Sequence, residues 1–227
     1  MPVPVTFRDI KSALANTGLI VRGGFHPDPT DGVPGDPGTL VLVGNVGPEM
    51  WAAFSRDRAS YSDCANPLDD WVRDQLTSLA ERVGATPLFP FGGPPFLPFQ
   101  RWAQKAEPVF PSPLGVLIHP DYGLWHAWRG ALAFEAMLDL PEVDQRPSPC
   151  DSCADKPCLS ACPVEAFSRD GYDVPVCVSH IETSAGEDCV ALGCRARRAC
   201  PVGTDFVYAP AQAEFHMQAF RKAQSGS

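Results

Sequence analysis

Apolar positions first fall at helical spacing over Phe7–Leu14, where Phe7, Ile10 and Leu14 share one face and Gly18 follows as a stop signal. Leu19–Phe25 reads as a strand. It runs into His26–Gly38, where proline and glycine recur so often that a surface loop is expected, with His26 solvated. Thr39–Gly44 is a continuous apolar, β-branched run and predicts a buried strand. Pro48 suits the first position of a helix running to about Arg56. A longer amphipathic helix is predicted after Asn66. Asn66 caps it, Pro67 takes the first position, and Asp69 and Asp70 meet the positive end of its dipole. Leu68, Trp71, Val72, Leu76, Leu79 and Val83 form its apolar face, and Gly84 ends it. Leu114–Ile118 and Leu124–Phe134 read as strands on either side of the turn Pro120–Gly123. The tail from Ala209 to about Arg221 predicts a helix with Ala211, Phe215 and Ala219 on its inner face.

Two stretches follow neither period. Pro87–Phe99 carries Phe89, Phe91, Phe96 and Phe99 among too many prolines for a central strand. A loop this apolar is expected to cover something: a ligand pocket, a dimer interface or its own core. Gly44–Gly47, between a strand and a helix, lacks a full phosphate-binding fingerprint and is expected to be a plain connection.

The length, 227 residues, allows one medium domain and a small appendage. A net charge of −9 and a pI near 4.9 argue against nucleic acid or an anionic membrane as the main partner. No apolar run approaches the length of a membrane span. Met1–Ile10 lacks the basic and apolar regions of a signal peptide, so a reducing, cytoplasmic setting is expected.

Of the nine cysteines, all but Cys64 lie between Cys150 and Pro201. Cys64 is read as a small hydrophobe. Cys150, Cys153, Cys158 and Cys162 form one block; Cys177, Cys189, Cys194 and Cys200 form a second. Each block ends in Cys-Pro. Zinc sites usually pair two close cysteines with a distant pair of Cys or His and do not call for that ending. Disulfides belong to oxidising compartments. The blocks resemble the two-cluster bacterial ferredoxin run, although the gap Ala154–Pro157 is wider here. In that run the cysteine before proline serves the other cluster. The resemblance therefore implies two [4Fe–4S] clusters: one on Cys150, Cys153, Cys158 and Cys200, the other on Cys162, Cys177, Cys189 and Cys194. His180 lies one helical turn beyond Cys177. It is expected at the surface, with tuning of a cluster as the alternative.

A second resemblance begins at Gly115-Val-Leu-Ile-His119-Pro120-Asp-Tyr122-Gly123-Leu-Trp125-His-Ala127-Trp-Arg129-Gly130. This run is similar to a motif of the CblC family of cobalamin-processing proteins, and the likeness covers roughly residues 40 to 135. Cys177-Val-Ser-His-Ile-Glu-Thr and the order of the cysteines resemble epoxyqueuosine reductase, whose layout reductive dehalogenases share. Together they imply an α+β architecture: a nitroreductase-like, corrinoid-binding α/β sandwich followed by a ferredoxin-like domain. The expected boundaries are 1–145 for the corrinoid-type domain, 146–208 for the cluster domain and 209–227 for the helical tail. His119, Tyr122, Gly123, Trp125 and Arg129 follow the motif and are the implied cobalamin contacts. For His119, fixing a turn between two strands is an equal alternative. The stretch carrying the catalytic Asp of epoxyqueuosine reductases is not found, so activity on queuosine or organohalides is not implied.

Two functions follow. The first is an iron–sulfur oxidoreductase passing single electrons to a corrinoid, to process cobalamin or to reduce a small-molecule substrate. The second is a ferredoxin-like carrier whose N-terminal domain docks a redox partner protein, which an acidic surface would steer. A lesser reading places FMN where the corrinoid would sit, since nitroreductase-like folds often hold flavin.

Overall fold

The computed structural model describes residues 5–168 and 171–225. The chain divides into two compact units. One runs through Pro108 and takes in His126–Gln145; the other joins Val109–Trp125 to the chain from Arg146 onward. The sequence reading kept Val109–Trp125 with the N-terminal domain and gave the tail a segment of its own. The motif around His119 is instead split: Gly115–Trp125 belongs to the same unit as the cysteines, as does the tail helix, while His126–Gly130 belongs to the first unit.

In the first unit, Thr6 opens helix α1 (Phe7–Ala13) with a reciprocal box: its hydroxyl accepts the Asp9 N–H while the Asp9 carboxylate accepts the Thr6 N–H at 2.9 Å. Strand β1 (Ile20–Phe25) leads through the Pro/Gly loop to β2 (Thr39–Val46). All of β2 is buried, as its unbroken apolar run predicts, because it lies between two other strands. Helix α2 (Glu49–Asp57) starts one residue later than expected, with Pro48 as its cap. Helix α3 (Pro67–Val83) begins at Pro67 and stops at a left-handed Gly84, and Leu68, Trp71, Val72, Leu76, Leu79 and Ala80 are its buried face. Asn66 makes no side-chain capping bond.

Strand β3 (Thr86–Leu88) leads into the phenylalanine-rich loop. The loop does not act as one cover. Phe89 and Phe91 stack on each other at 5.2 Å beneath Arg73, Phe96 is 68 % exposed, and Phe99 is buried. Phe99 opens helix α4 (Phe99–Ala106), which the sequence reading missed. Its buried face is Phe99, Trp102, Ala103 and Ala106, and the Trp102 indole donates to the Asp31 carbonyl at 2.9 Å.

The next two strands belong to the second unit. The expected strand Leu114–Ile118 shrinks to β5 (Leu117–Ile118), paired with the two-residue β4 (Phe110–Pro111). The residues before it turn, with the Gly115 N–H donating to the Ser112 carbonyl. Strand β6 (His126–Phe134) returns to the first unit and completes an antiparallel sheet in the order β1-β2-β6-β3.

The rest of the second unit consists of short elements: α5 (Pro157–Ser160), β7 (Phe167–Ser168), β8 (Gly171–Tyr172), α6 (Val174–Ile181), α7 (Glu187–Ala191), α8 (Arg195–Arg198) and the tail helix α9 (Pro210–Ser225). The expected inner face of α9 is wrong. Ala211 and Ala219 are exposed, while Ala213 is buried and Met217 and Phe220 pack on Ile181, Cys189 and Val190. Among the described residues, no helix is long and apolar enough to cross a membrane.

Candidate metal centre

Short loops between short helices turn the cysteine side chains inward. All nine cysteines are free thiols. Cys150, Cys153, Cys158 and Cys200 line one cavity of the second unit, and Cys162, Cys177, Cys189 and Cys194 line another. Cys200 thus leaves its own sequence block for the first group, and Cys162 leaves its block for the second. Among the described residues, no three His, Cys, Asp or Glu side chains converge as ligands of a single metal ion. The thiols stand around the cavity walls.

Backbone amides and hydroxyls point at the sulfurs. In the first group, the amides at the start of α5 beside Cys158 and the Val202 amide beside Cys200 work against the rise of those thiols, as does Ser148 beside Cys150, whose hydroxyl oxygen accepts the Cys150 N–H at 3.3 Å. In the second, Cys162 receives the Ala166 N–H at 3.3 Å, Cys194 those of Ala196 and Arg197, and Cys177 the Tyr172 hydroxyl. Burial pushes the thiols of Cys150, Cys158, Cys177, Cys194 and Cys200 up, and neighbouring cysteines add to the rise. These thiols keep their protons until a positive centre displaces them. The donor set fits an iron–sulfur cluster: four thiols per cavity, amides aimed at sulfur and otherwise mostly apolar walls.

His180 departs from expectation. It is half-buried, it lines the second cavity, and its Nε2 is buried with no hydrogen-bond partner among the described residues. Tyr172, which the sequence reading did not single out, lies flat against Phe167 at 4.6 Å. Burial, the bond to Cys177 and the charges of nearby cysteines raise its pKa, so the phenol stays protonated and donates. Arginines brace the same region. Asp188 accepts from Arg195 at 2.6 Å and from Arg198, tying α7 to α8. Arg195 holds the Asp188 carboxyl below the usual carboxylate range.

The motif around His119 packs against the stretch after Cys200. His119 is buried, its Nδ1 accepts the N–H groups of Asp121 at 3.0 Å and Tyr122 at 3.3 Å, and its ring stacks on Tyr122 at 4.1 Å. Gly123, at φ +57, lies so close to Val202 that an added Cβ would sit 1.9 Å from the Val202 carbonyl oxygen. Arg146 pairs bidentately with Asp121 at 2.6 and 2.7 Å, holding that carboxyl low. Trp125 is buried, and the Arg197 guanidinium lies 4.6 Å from both the Trp125 and Tyr208 rings while donating to the Leu124 carbonyl. Arg129 falls in the first unit, where its Nε donates to Asn45 Oδ1 at 2.9 Å. The motif residues of the second unit brace a turn against the Cys200 loop.

The first unit holds a buried polar cluster with no local signal in the sequence. Arg22 donates through Nε to Glu107 at 3.0 Å and contacts His126 Nδ1 at 3.2 Å, and Trp128 donates to the other Glu107 oxygen at 2.7 Å. Burial pushes the Glu107 carboxyl up, while Arg22 and Trp128 hold it down.

No family model matches this chain, and no curated protein matches it. Solved structures do. Epoxyqueuosine reductase from Streptococcus thermophilus matches over 91 % of this chain and 69 % of that one, at a TM-score of 0.54 and 13 % identity. An epoxyqueuosine reductase solved with a modified tRNA stem loop matches over 88 % and 66 %, at 0.53 and 15 %. The C. elegans B12-trafficking protein CblC matches over 94 % and 95 %, at 0.55 and 15 %. The chain thus spans about two thirds of the length of the reductases and nearly all of CblC. At 15 % identity the tRNA-bound neighbour bears on fold alone. The likeness shows a mixed α/β fold shared with epoxyqueuosine reductase and CblC.

Proposed function

We propose that this chain is an iron–sulfur oxidoreductase that holds two [4Fe–4S] clusters and passes electrons to a cobalamin taken up as substrate. The observation that carries this reading is the sorting of eight cysteines into two cavities, four thiols each, with the last cysteine of each block exchanged. Such clusters, when bound, supply one-electron transfer at low potential. The protein supplies the rest. Its thiols give up their protons on assembly, so loading is favoured by higher pH. The amides of α5 and α8 and the hydroxyls of Ser148 and Tyr172 stabilise thiolate charge. Prolines and aliphatic side chains wall the cavities and limit water.

Cobalamin as the acceptor is supported by the fold shared with CblC along nearly the whole of both chains. No contact with it is assigned to His119, Tyr122, Gly123, Trp125 or Arg129. The test is an anaerobic titration of reduced, desalted protein with hydroxocobalamin, followed by absorbance. The expected result is saturable oxidation of the protein, with one cobalt reduced per electron lost. A reduced protein that leaves hydroxocobalamin untouched would overturn cobalamin as the acceptor. It would favour the electron-carrier reading, for which the net charge of −9 suits a basic redox partner.

A further inference from the structure

The two cysteine groups have like surroundings: backbone amides beside two of the thiols in each, and one hydroxyl beside a third, Ser148 near Cys150 in the first group and Tyr172 near Cys177 in the second. Their nearby cations also offset. Lys156 lines the first cavity but is exposed and screened by solvent. Arg195 lines the second, and its charge is met by Asp188 at 2.6 Å. What differs is His180. One turn of α6 beyond Cys177, it lines the second cavity, and its Nε2 is buried with no partner among the described residues. A buried ring nitrogen is seldom left without a partner, and here the cavity is lined by the thiols of Cys162, Cys177, Cys189 and Cys194.

We infer that His180 is a positioning residue that donates an Nε2–H hydrogen bond to the sulfur shell of the Cys162/Cys177/Cys189/Cys194 cluster and makes that cluster the higher-potential one of the pair. This rests on the two-cluster reading above. The reason is electrostatic. Reduction adds one negative charge, and a hydrogen-bond donor fixed against sulfur stabilises the more negative form. Among the described residues, no imidazole lines the first cavity. Within the second unit, an electron entering at either group therefore settles at the one beside His180. No bond forms or breaks in this step. Each cluster takes one electron from an external low-potential donor, its core charge falls from 2+ to 1+, and no proton has to move.

The test is a mediated redox titration of the anaerobic holoprotein with dithionite, read by EPR, on wild type, His180→Phe and His180→Gln. Wild type should show two one-electron waves. His180→Phe should keep its iron and move only the upper wave to lower potential; His180→Gln, which keeps an N–H donor, should recover most of the shift. An upper wave unmoved by His180→Phe, a shift shared equally by both waves, or a Gln variant no better than Phe would overturn the inference. Iron falling to about half in His180→Phe would also overturn it, because His180 would then be needed for assembly and not for potential. A second readout needs no variant. Pulsed EPR of singly reduced wild type grown with 15N-histidine should show a weak 15N coupling. No coupling, or one strong enough for direct ligation, would contradict the assignment. Wild type with one wave and about four irons would instead refute the two-cluster reading beneath it.

Discussion

Replacing Gly123, a buried residue, by alanine should damage the second unit far more than the addition of one methyl group suggests. An added Cβ would lie 1.9 Å from the Val202 carbonyl oxygen, 2.7 Å from its carbon and 3.3 Å from the Gly203 nitrogen. The neighbours are backbone, so no rotamer change relieves the contact, and the two segments would have to part by roughly 1 Å. Overpacking of this kind costs about 1–3 kcal/mol. The left-handed φ of +57 adds about 1–2 kcal/mol for a non-glycine residue, for a total of about 2–5 kcal/mol. Gly115 supplies the control. It too is left-handed, at φ +75, but nothing lies within 4 Å of its added Cβ. Gly115→Ala should therefore cost only the conformational part, about 1–2 kcal/mol. Val202 follows Cys200 by two residues and lines the same cavity, with its amide beside the Cys200 thiol, so the displaced backbone should also disturb the first cysteine group. Anaerobic denaturant unfolding, with iron measured per chain, compares the two variants. Gly123→Ala should be the less stable and should lose iron, while Gly115→Ala should keep it. Equal stability and equal iron in the two variants would refute the reasoning.

Glu107→Ala should cost about 3–5 kcal/mol in denaturant unfolding, since it takes the carboxylate from a guanidinium whose side chain is 1 % exposed. Arg22→Met combined with Glu107→Leu should recover much of that loss, and a double variant as weak as the single one would contradict the pairing. Lys105 has its pKa raised, chiefly by its bond to Asp31, so its contribution is fully present below the free lysine value near 10.5 and is lost as pH rises through the higher folded value. The stability gap between wild type and Lys105→Gln, about 0.5 kcal/mol after screening, should be constant from pH 7 to about 9 and shrink only as pH rises past the free lysine value. On α9, Ala213→Asp should destabilise the second unit by about 2 kcal/mol in thermal or denaturant melts, because it buries a charge. Ala211→Asp, on the exposed side, should be near neutral, and the reverse order would restore the rejected face.

Sequence pattern carried the parts of the fold in which one residue type repeats along one face. Strand β2 and helix α3 are of this kind: an unbroken apolar run and a six-member stripe bounded by Pro67 and Gly84. Helix α4 carried the same signal in Phe99, Trp102, Ala103 and Ala106, but the prolines through Pro98 made the stretch read as loop. The α9 face was misread because alanines recur all round that helix. The side chains that decide it are Met217 and Phe220, and a fully buried Gln212 lies beside Ala213. The two cysteine groups are those implied by the resemblance to the two-cluster ferredoxin run, which the spacing and the Cys-Pro endings carry. Tyr172 was not legible, because its approach to the second group depends on how β8 folds back, whereas His180 lies one turn beyond Cys177 on α6, where its spacing allowed cluster tuning as the alternative. Arg22 and Glu107 are 85 residues apart, and nothing local to either announces the other. The His119 motif was visible as a motif, but its place against Val202 and Gly203 is a product of tertiary packing.

The central claim is that the eight inward-facing cysteines hold two iron–sulfur clusters. The most direct test is iron and acid-labile sulfide per chain in anaerobically purified protein. The account predicts about eight of each. About four of each, or zinc in place of iron, would contradict it.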